Sequence, residues 1–185
     1  MSEDIQARGA AVPKLRIREA CEADMAAVRE IYAHYVEHSL ATFEEVAPSI
    51  DEMNTRLLAV HEAGLPYLVG LIDGEVLGYA YATPYRSRPA YRHTIENSVY
   101  VAVDRQGHGY GSALLEALIA QCEAGPWRQM LAVIGDSGNT ASIALHGRYG
   151  FEPAGTLRSV GFKLGRWVDT VLMQRSLGPG DQVAP

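Results

Sequence analysis

Basic clusters, long apolar runs and cysteine pairs are all missing from this sequence, and each absence removes a class of function. The chain carries a net charge of -6 and has no run of Lys and Arg. Binding a phosphate backbone needs a clustered basic face, so nucleic acid is not an expected partner, although a local basic site for one small anion is still allowed. No apolar stretch approaches the ~20 residues that span a bilayer. The opening Met-Ser-Glu-Asp-Ile-Gln lacks the basic-then-apolar pattern of a signal peptide, so the expected setting is cytoplasmic, with no membrane partner. Cys21 and Cys122 are the only cysteines, with no Cys-x-x-Cys spacing and no Cys/His cluster, so no metal is expected and nothing requires a disulfide.

What is there suits one mixed α/β domain. At 185 residues the chain can bury a real core, and 48% hydrophobic with 21% charged residues is ordinary for a globular protein. Residues 1–14 are small and polar and read as a flexible tail, residues 15–177 as the domain, and residues 178–185 as a second flexible tail. Leu15 to Arg18 alternates like a strand. Asp24 is placed to cap a helix whose Met25, Val28, Ile31, Tyr32 and Tyr35 recur at helical spacing. Ser49 and Glu52 form a capping-box pattern opening a second helix, which Gly64 and Pro66 end. The strand-like runs Tyr67 to Ile72 and Glu75 to Ala82 flank Asp73-Gly74, a dipeptide suited to a tight antiparallel hairpin. A loop from Pro84 to Arg92 precedes a strand over His93 to Val103. Beyond the glycine-rich residues 107–111 come a helix with Leu114, Leu115, Leu118, Ile119 and Cys122, a buried strand from Gln129 to Ile134 and a short helix from Asn139 to Tyr149. A hairpin from Phe162 to Met173, turning at Gly165, completes the order.

Gln106-Gly107-His108-Gly109-Tyr110-Gly111-Ser112 stands between an apolar strand and an amphipathic helix. Glycines there let the backbone approach an anion, and the free N–H groups and dipole of the helix start attract it. A pyrophosphate is the natural guest. A Walker loop would need a Gly-Lys-Ser/Thr ending, and there is no lysine here. The dinucleotide fingerprint would need a third glycine where Ser112 stands. The segment instead resembles the Gln-x-x-Gly-x-Gly turn with which the GNAT superfamily of N-acetyltransferases holds the pyrophosphate of coenzyme A.

Further segments are similar to one branch of that superfamily, the phosphinothricin acetyltransferases, with their methionine sulfoximine and sulfone relatives. They are Glu96-Asn97-Ser98-Val99-Tyr100-Val101, Ala132-Val133-Ile134-Gly135, the helix from Asn139 to Tyr149, and Gly161 to Asp169. The resemblance implies a single-domain GNAT fold, with a mixed, mostly antiparallel central sheet flanked by helices, working as a homodimer. It implies acetyl-CoA as co-substrate: Val101, Ala102 and Val103 present main-chain groups to the pantetheine arm, residues 106–112 hold the pyrophosphate, and Asn139 lies beside the arm. Asn is also a good helix cap, and Asn139 can do both.

Acetyl transfer to an amine needs a neutral amine, so a base must take a proton and an acid should help the thiolate leave. Glu96 is the candidate base. It lies on an otherwise uncharged strand, where a carboxylate is costly unless paired or used, and the resemblance implies the same role. The competing reading is a salt bridge with Arg92 or Arg88. His146 stands four residues before Gly150-Phe151, where many GNAT enzymes carry the tyrosine that protonates the thiolate. An imidazole can donate or relay that proton, and a hydrogen-bonded structural histidine is the alternative. Arg86, Arg88 and Tyr91, in the loop before the Glu96 strand, are placed by the resemblance at the acceptor site, where guanidinium groups suit an amino acid with a second acidic or strongly polar oxygen group. Phe43 and Glu44 are candidates to close over it. The leading expectation is transfer of acetyl to the α-amino group of such an acceptor within a ternary complex. The alternatives are an acetyltransferase for peptide N-termini or other amines, and a non-catalytic acetyl-CoA-binding module.

Overall fold

The structure is a computed structural model describing residues 14–185, so the proposed N-terminal tail, apart from Lys14, lies outside the described residues. Among the described residues seven strands make one open sheet, with four α-helices on its two faces. The elements run β1 (Arg16–Glu19), α1 (Met25–His38), α2 (Ile50–Glu62), β2 (Tyr67–Ile72), β3 (Glu75–Pro84), β4 (Thr94–Val101), α3 (Tyr110–Glu123), β5 (Gln129–Gly135), α4 (Thr140–Arg148), β6 (Glu152–Lys163) and β7 (Arg166–Ser176). The sheet order is β1-β2-β3-β4-β5-β7-β6. Every neighbouring pair is antiparallel except β4 and β5. No helix among the described residues is long and apolar enough to cross a membrane, and both cysteines are free.

Local chemistry explains most boundaries. Asp73 and Gly74 both take positive φ, 51° and 86°, the geometry of a two-residue hairpin whose twist matches its strands. Ser49 caps α2 by accepting the Glu52 N–H at 3.1 Å. Asp24 is a correction to the expected cap. A short 3₁₀ turn, Glu22–Asp24, precedes α1, and the buried Asp24 carboxylate turns back to accept both Arg18 NH groups (2.7 and 2.8 Å) and the Cys21 N–H (2.8 Å). Those charged donors hold its pKa below the ordinary value.

β6 is longer than its sequence suggests. The expected hairpin began at Phe162, yet pairing with β7 starts at Glu152. Nearly all of β6 is solvent-exposed on both faces, so it shows no apolar alternation, and its register shifts beside Gly155 and before Gly161. Residues after Ser176 form turns, with Gly180 N–H donating to Leu177 O at 3.0 Å, while Leu177 is fully buried.

α1 packs on one face of the central strands, where Tyr32 and Tyr35 meet Tyr100 edge-on at 5.2 and 5.1 Å. α3 covers the other face and lies close because β3 offers Gly78 there: a Cβ at that position would stand 2.8 Å from the Tyr100 carbonyl and 3.1 Å from the Leu114 side chain. The feature that positions the site is the single parallel pair. β4 and β5 share rungs only from Thr94–Gln129 to Asn97–Ala132. Both strands run on, to Val101 and Gly135, without pairing, and a wedge opens between them.

Candidate active site

The wedge is the mouth of a cleft of about 1030 Å³, lined by both splayed strands, the glycine turn, α4 and residues 38–41. Pockets that take most of a ligand's surface are typically of this order. At its far end Gly107 and Gly109 adopt φ of 78° and 83°, which side chains resist. Gly109 is the N-cap of α3. The first capping bond runs from Ala113 N–H to Gly109 O at 3.1 Å, so the N–H groups of Tyr110, Gly111 and Ser112 have no intrahelical acceptor. Those donors and the helix dipole converge on the cleft, which fits an anionic guest.

Most residues expected around a coenzyme come together here. Val101, Gln106, Gly107, Gly109, Tyr110, Gly111, Ser112 and Asn139 line the cleft, whereas Ala102, Val103 and His108 do not. Ala102 N–H is used by Leu77 O at 2.8 Å. Val103 begins a 3₁₀ turn and is half exposed. His108 folds back on the Gln106 carbonyl at 2.8 Å. The Val101 carbonyl accepts from Tyr35 OH at 2.6 Å, and Gln106 Nε2 donates to the same hydroxyl at 2.8 Å, which ties the turn to α1. Ser112 Oγ pairs with Tyr149 OH at 2.8 Å. Asn139 caps α4 by accepting the Ser142 N–H at 3.2 Å while facing the cleft, so it performs the capping role foreseen for it. Arg105, Arg148 and Arg166, not singled out in the sequence, also line the walls; Arg105 is paired with Glu75 and Asp104 and Arg166 with Asp136, which leaves Arg148 without an ion pair among the described residues. Each stands alone in the chain, and only the fold gathers them.

Glu96 lies on β4 opposite Thr83 of β3 and Leu131 of β5. It shares a face with Ser98 and Tyr100, away from Asn97. Among the described residues no ion pair or hydrogen bond engages its carboxylate, so the Arg88 or Arg92 bridge is not formed. Burial raises its pKa. Ser98, Tyr100 and Val133 border the cleft, so the unpaired gap leads through the sheet toward the face that carries Glu96.

His146 sits on the other face, buried at the foot of the cleft. Its Nδ1 is 2.8 Å from the Ser142 carbonyl, which can only accept, so Nδ1 carries the proton. Nε2 faces Asn97 Oδ1 at 3.0 Å, while Asn97 Nδ2 donates to Leu131 O at 2.9 Å. A ring with an acceptor at each nitrogen is fully satisfied only when doubly protonated. Burial opposes that charge and lowers the pKa, with the Ser142 bond partly compensating.

The expected acceptor residues lie apart from the cleft. Arg86 rests over Tyr85 and Tyr91, 5.0 and 5.8 Å from their ring centres, in the exposed loop at the start of β4, the end away from the glycine turn. Arg88 is exposed and heads a 3₁₀ turn, Pro89–Tyr91. Phe43 packs across Gly161 of β6. Glu44 is held by Arg56 at 2.7 and 3.1 Å and by Tyr32 OH at 2.9 Å.

This arrangement has close counterparts. Residues 17–172 match the acetyltransferase (GNAT) domain. The chain belongs to the GNAT acetyltransferase family. It is 57% identical to a phosphinothricin N-acetyltransferase of Alcaligenes faecalis, over 91% of this chain and 86% of that protein. It is 41% identical to an L-methionine sulfoximine/L-methionine sulfone acetyltransferase of Pseudomonas paraeruginosa, over 88% of this chain and 95% of that protein. The crystal structure of a GNAT phosphinothricin acetyltransferase from Sinorhizobium meliloti in complex with AcCoA superposes with a TM-score of 0.90 at 44% identity, covering 92% of each chain. This GNAT protein is therefore an N-acetyltransferase, and its sheet is the GNAT sheet. Among its described residues no group of three or more His, Cys, Asp or Glu gathers to hold a metal.

Proposed function

We propose that this acetyltransferase moves acetyl from acetyl-CoA to the α-amino group of a small amino-acid-like acceptor of the phosphinothricin, methionine sulfoximine or methionine sulfone type, by direct attack in a ternary complex. The observation that carries the reading is the through-sheet gap, with the N–H-rich turn on one side and an unpaired, half-buried carboxylate on the other. Acetyl-CoA supplies an activated thioester. The free N–H groups of residues 110–112, with Arg105 and Arg148 on the walls, supply what its phosphates require, and the unpaired edges of β4 and β5 offer main-chain groups to an amide-bearing arm. The acceptor arrives as an ammonium and has no lone pair until it loses a proton. Glu96, with no cation to hold it ionised and its pKa raised by burial, is suited to take that proton directly or through water. His146 stands beside Asn97 at the last rung before the gap; its doubly protonated form, with an acceptor at each nitrogen, gives the Nε2 proton to the departing thiolate and is left as the neutral ring protonated on Nδ1. Arg86, Arg88, Tyr91 and Phe43 reach the acceptor from the rim on the Glu96 side.

Assembly as a homodimer is part of the same proposal. β6 is a 12-residue edge strand, and Leu157, Val160, Phe162, Leu164 and Trp167 of its hairpin are 49–66% exposed. Side chains of this size offer on the order of 500 Å² of apolar surface, most of the ~800 Å² per partner of a stable interface. A second copy satisfies both the edge and the patch.

Thiol release from acetyl-CoA tests the acceptor class, with phosphinothricin, methionine sulfoximine, methionine sulfone, common amino acids, an alanyl peptide and spermidine compared. Turnover confined to the first three is expected. Turnover confined to the peptide or spermidine would sink the acceptor assignment.

A further inference from the structure

The segment between α1 and α2 forms a wall of the cleft through Ser39, Leu40 and Ala41 but has no regular structure of its own. Other elements hold it. The Leu40 carbonyl lies 2.2 Å from where a Cβ on Gly135 would stand, so β5 accepts the segment only because it carries glycine there. Phe43 covers Gly161 of β6 in the same way, 2.5 Å from its ideal Cβ. Glu44 is gripped from α2 by Arg56.

The remaining anchor is Lys163, the last residue of β6. It and Lys14 are the chain's two lysines. Lys163 is only 3% exposed, and Nζ donates to Thr42 O at 2.8 Å and to Tyr35 O at 3.4 Å. Among the described residues no carboxylate lies within ion-pair distance of it. Burial draws its pKa down, with Glu45 and Glu44 partly opposing. A Met or Leu would fill this space without the desolvation cost of an ammonium. The head group is accounted for by its two acceptors, one in the last turn of α1, where the helix dipole favours a cation, and one in the cleft-wall segment.

We infer that Lys163 is a positioning residue for acetyl transfer, clamping the C-terminal turn of α1 and Thr42 to the tip of β6 so that residues 39–41 stand at the mouth of the cleft. It touches no reacting atom. The turnover readout rests on the proposed acceptor class, whereas the structural readout does not.

The test compares full-length Lys163→Met and Lys163→Arg with the parent by acetyl-transfer kinetics, calorimetric acetyl-CoA binding and amide hydrogen exchange. In Lys163→Met, exchange should accelerate about tenfold or more across residues 39–44 while residues 107–113 keep their protection. The acceptor KM should rise about tenfold, within the ~10²-fold that a 1 Å misplacement can cost, while acetyl-CoA affinity changes less than about threefold, because the N–H groups of the turn are untouched. Arg, keeping charge and donors, should restore more than half of the loss. Unchanged exchange at 39–44 would overturn the inference. So would a uniform loss of protection with an unchanged KM, which marks a merely structural lysine. If the parent turned over no amino-acid acceptor, the proposed function would fail and the exchange comparison alone would judge Lys163.

Discussion

Glu96 combines two properties that seldom coexist without a use: it is half-buried and it is unpaired. Glu96→Gln should lower kcat/KM by roughly 10²- to 10⁴-fold, the usual contribution of a general base. Activity of the parent should rise with pH along a limb lying above the ordinary carboxylate range, because burial raises this pKa. The stability effect has the opposite sign. A carboxyl whose folded pKa is raised contributes stability below its unfolded pKa and loses it as pH rises through the folded value. Glutamine cannot ionise, so at neutral pH the variant should melt no lower than the parent. Differential scanning calorimetry beside the kinetics checks both, and a variant that melts lower and keeps its rate would remove Glu96 from the mechanism. Glu96 stood out in the sequence because it is the lone charge in an otherwise uncharged strand. The engagement of both His146 nitrogens did not, since Ser142 is a neighbour along the helix but Asn97 is 49 positions distant.

At the scale of elements, the glycine turn separates backbone need from steric need. Gly109 has φ of 83°, and a Cβ there meets nothing within 4 Å, so Ala suffers only backbone strain of about 1–2 kcal/mol. Gly111 sits in helical backbone, and its Cβ would make ordinary contacts of 3.5 and 3.7 Å with Val101 and Leu145. Gly109→Ala should therefore lose stability and weaken acetyl-CoA binding at least tenfold by reorienting the donors, while Gly111→Ala should retain both within about threefold. Melting curves and calorimetric titration of the two variants decide it, and equal losses would contradict this account of the turn. The turn, the Asp73-Gly74 hairpin and the helices are written locally, in glycine positions, caps and apolar spacing. β6 is not, because an exposed edge strand with Pro153, Gly155 and two register shifts carries no periodic signal. Lys163 as an anchor was equally hidden, since its acceptors are carbonyls more than a hundred positions away.

At the scale of the whole molecule, the exposed β6–β7 hairpin predicts self-association. Light scattering should give twice the chain mass, and Trp167→Lys should shift it toward one chain, since a buried charge disfavours the interface; a monomeric parent would refute the dimer. That the chain folds into one α/β domain, and that its two hairpins pair, could be read from the order of its elements, but how the hairpins join across the sheet could not, because the wedge depends on β5 pairing parallel to β4 for only four rungs before parting. The two portions of the sheet, residues 16–101 and 129–176, are thus joined like two pages on a short spine. Whatever lies between the pages is gripped by both, and it holds the book shut. Ligand affinity and cohesion of the fold then become one quantity, stabilising the folded chain by RT ln(1 + [L]/Kd), with its effect concentrated where the spine ends, at Asn97 and Ala132.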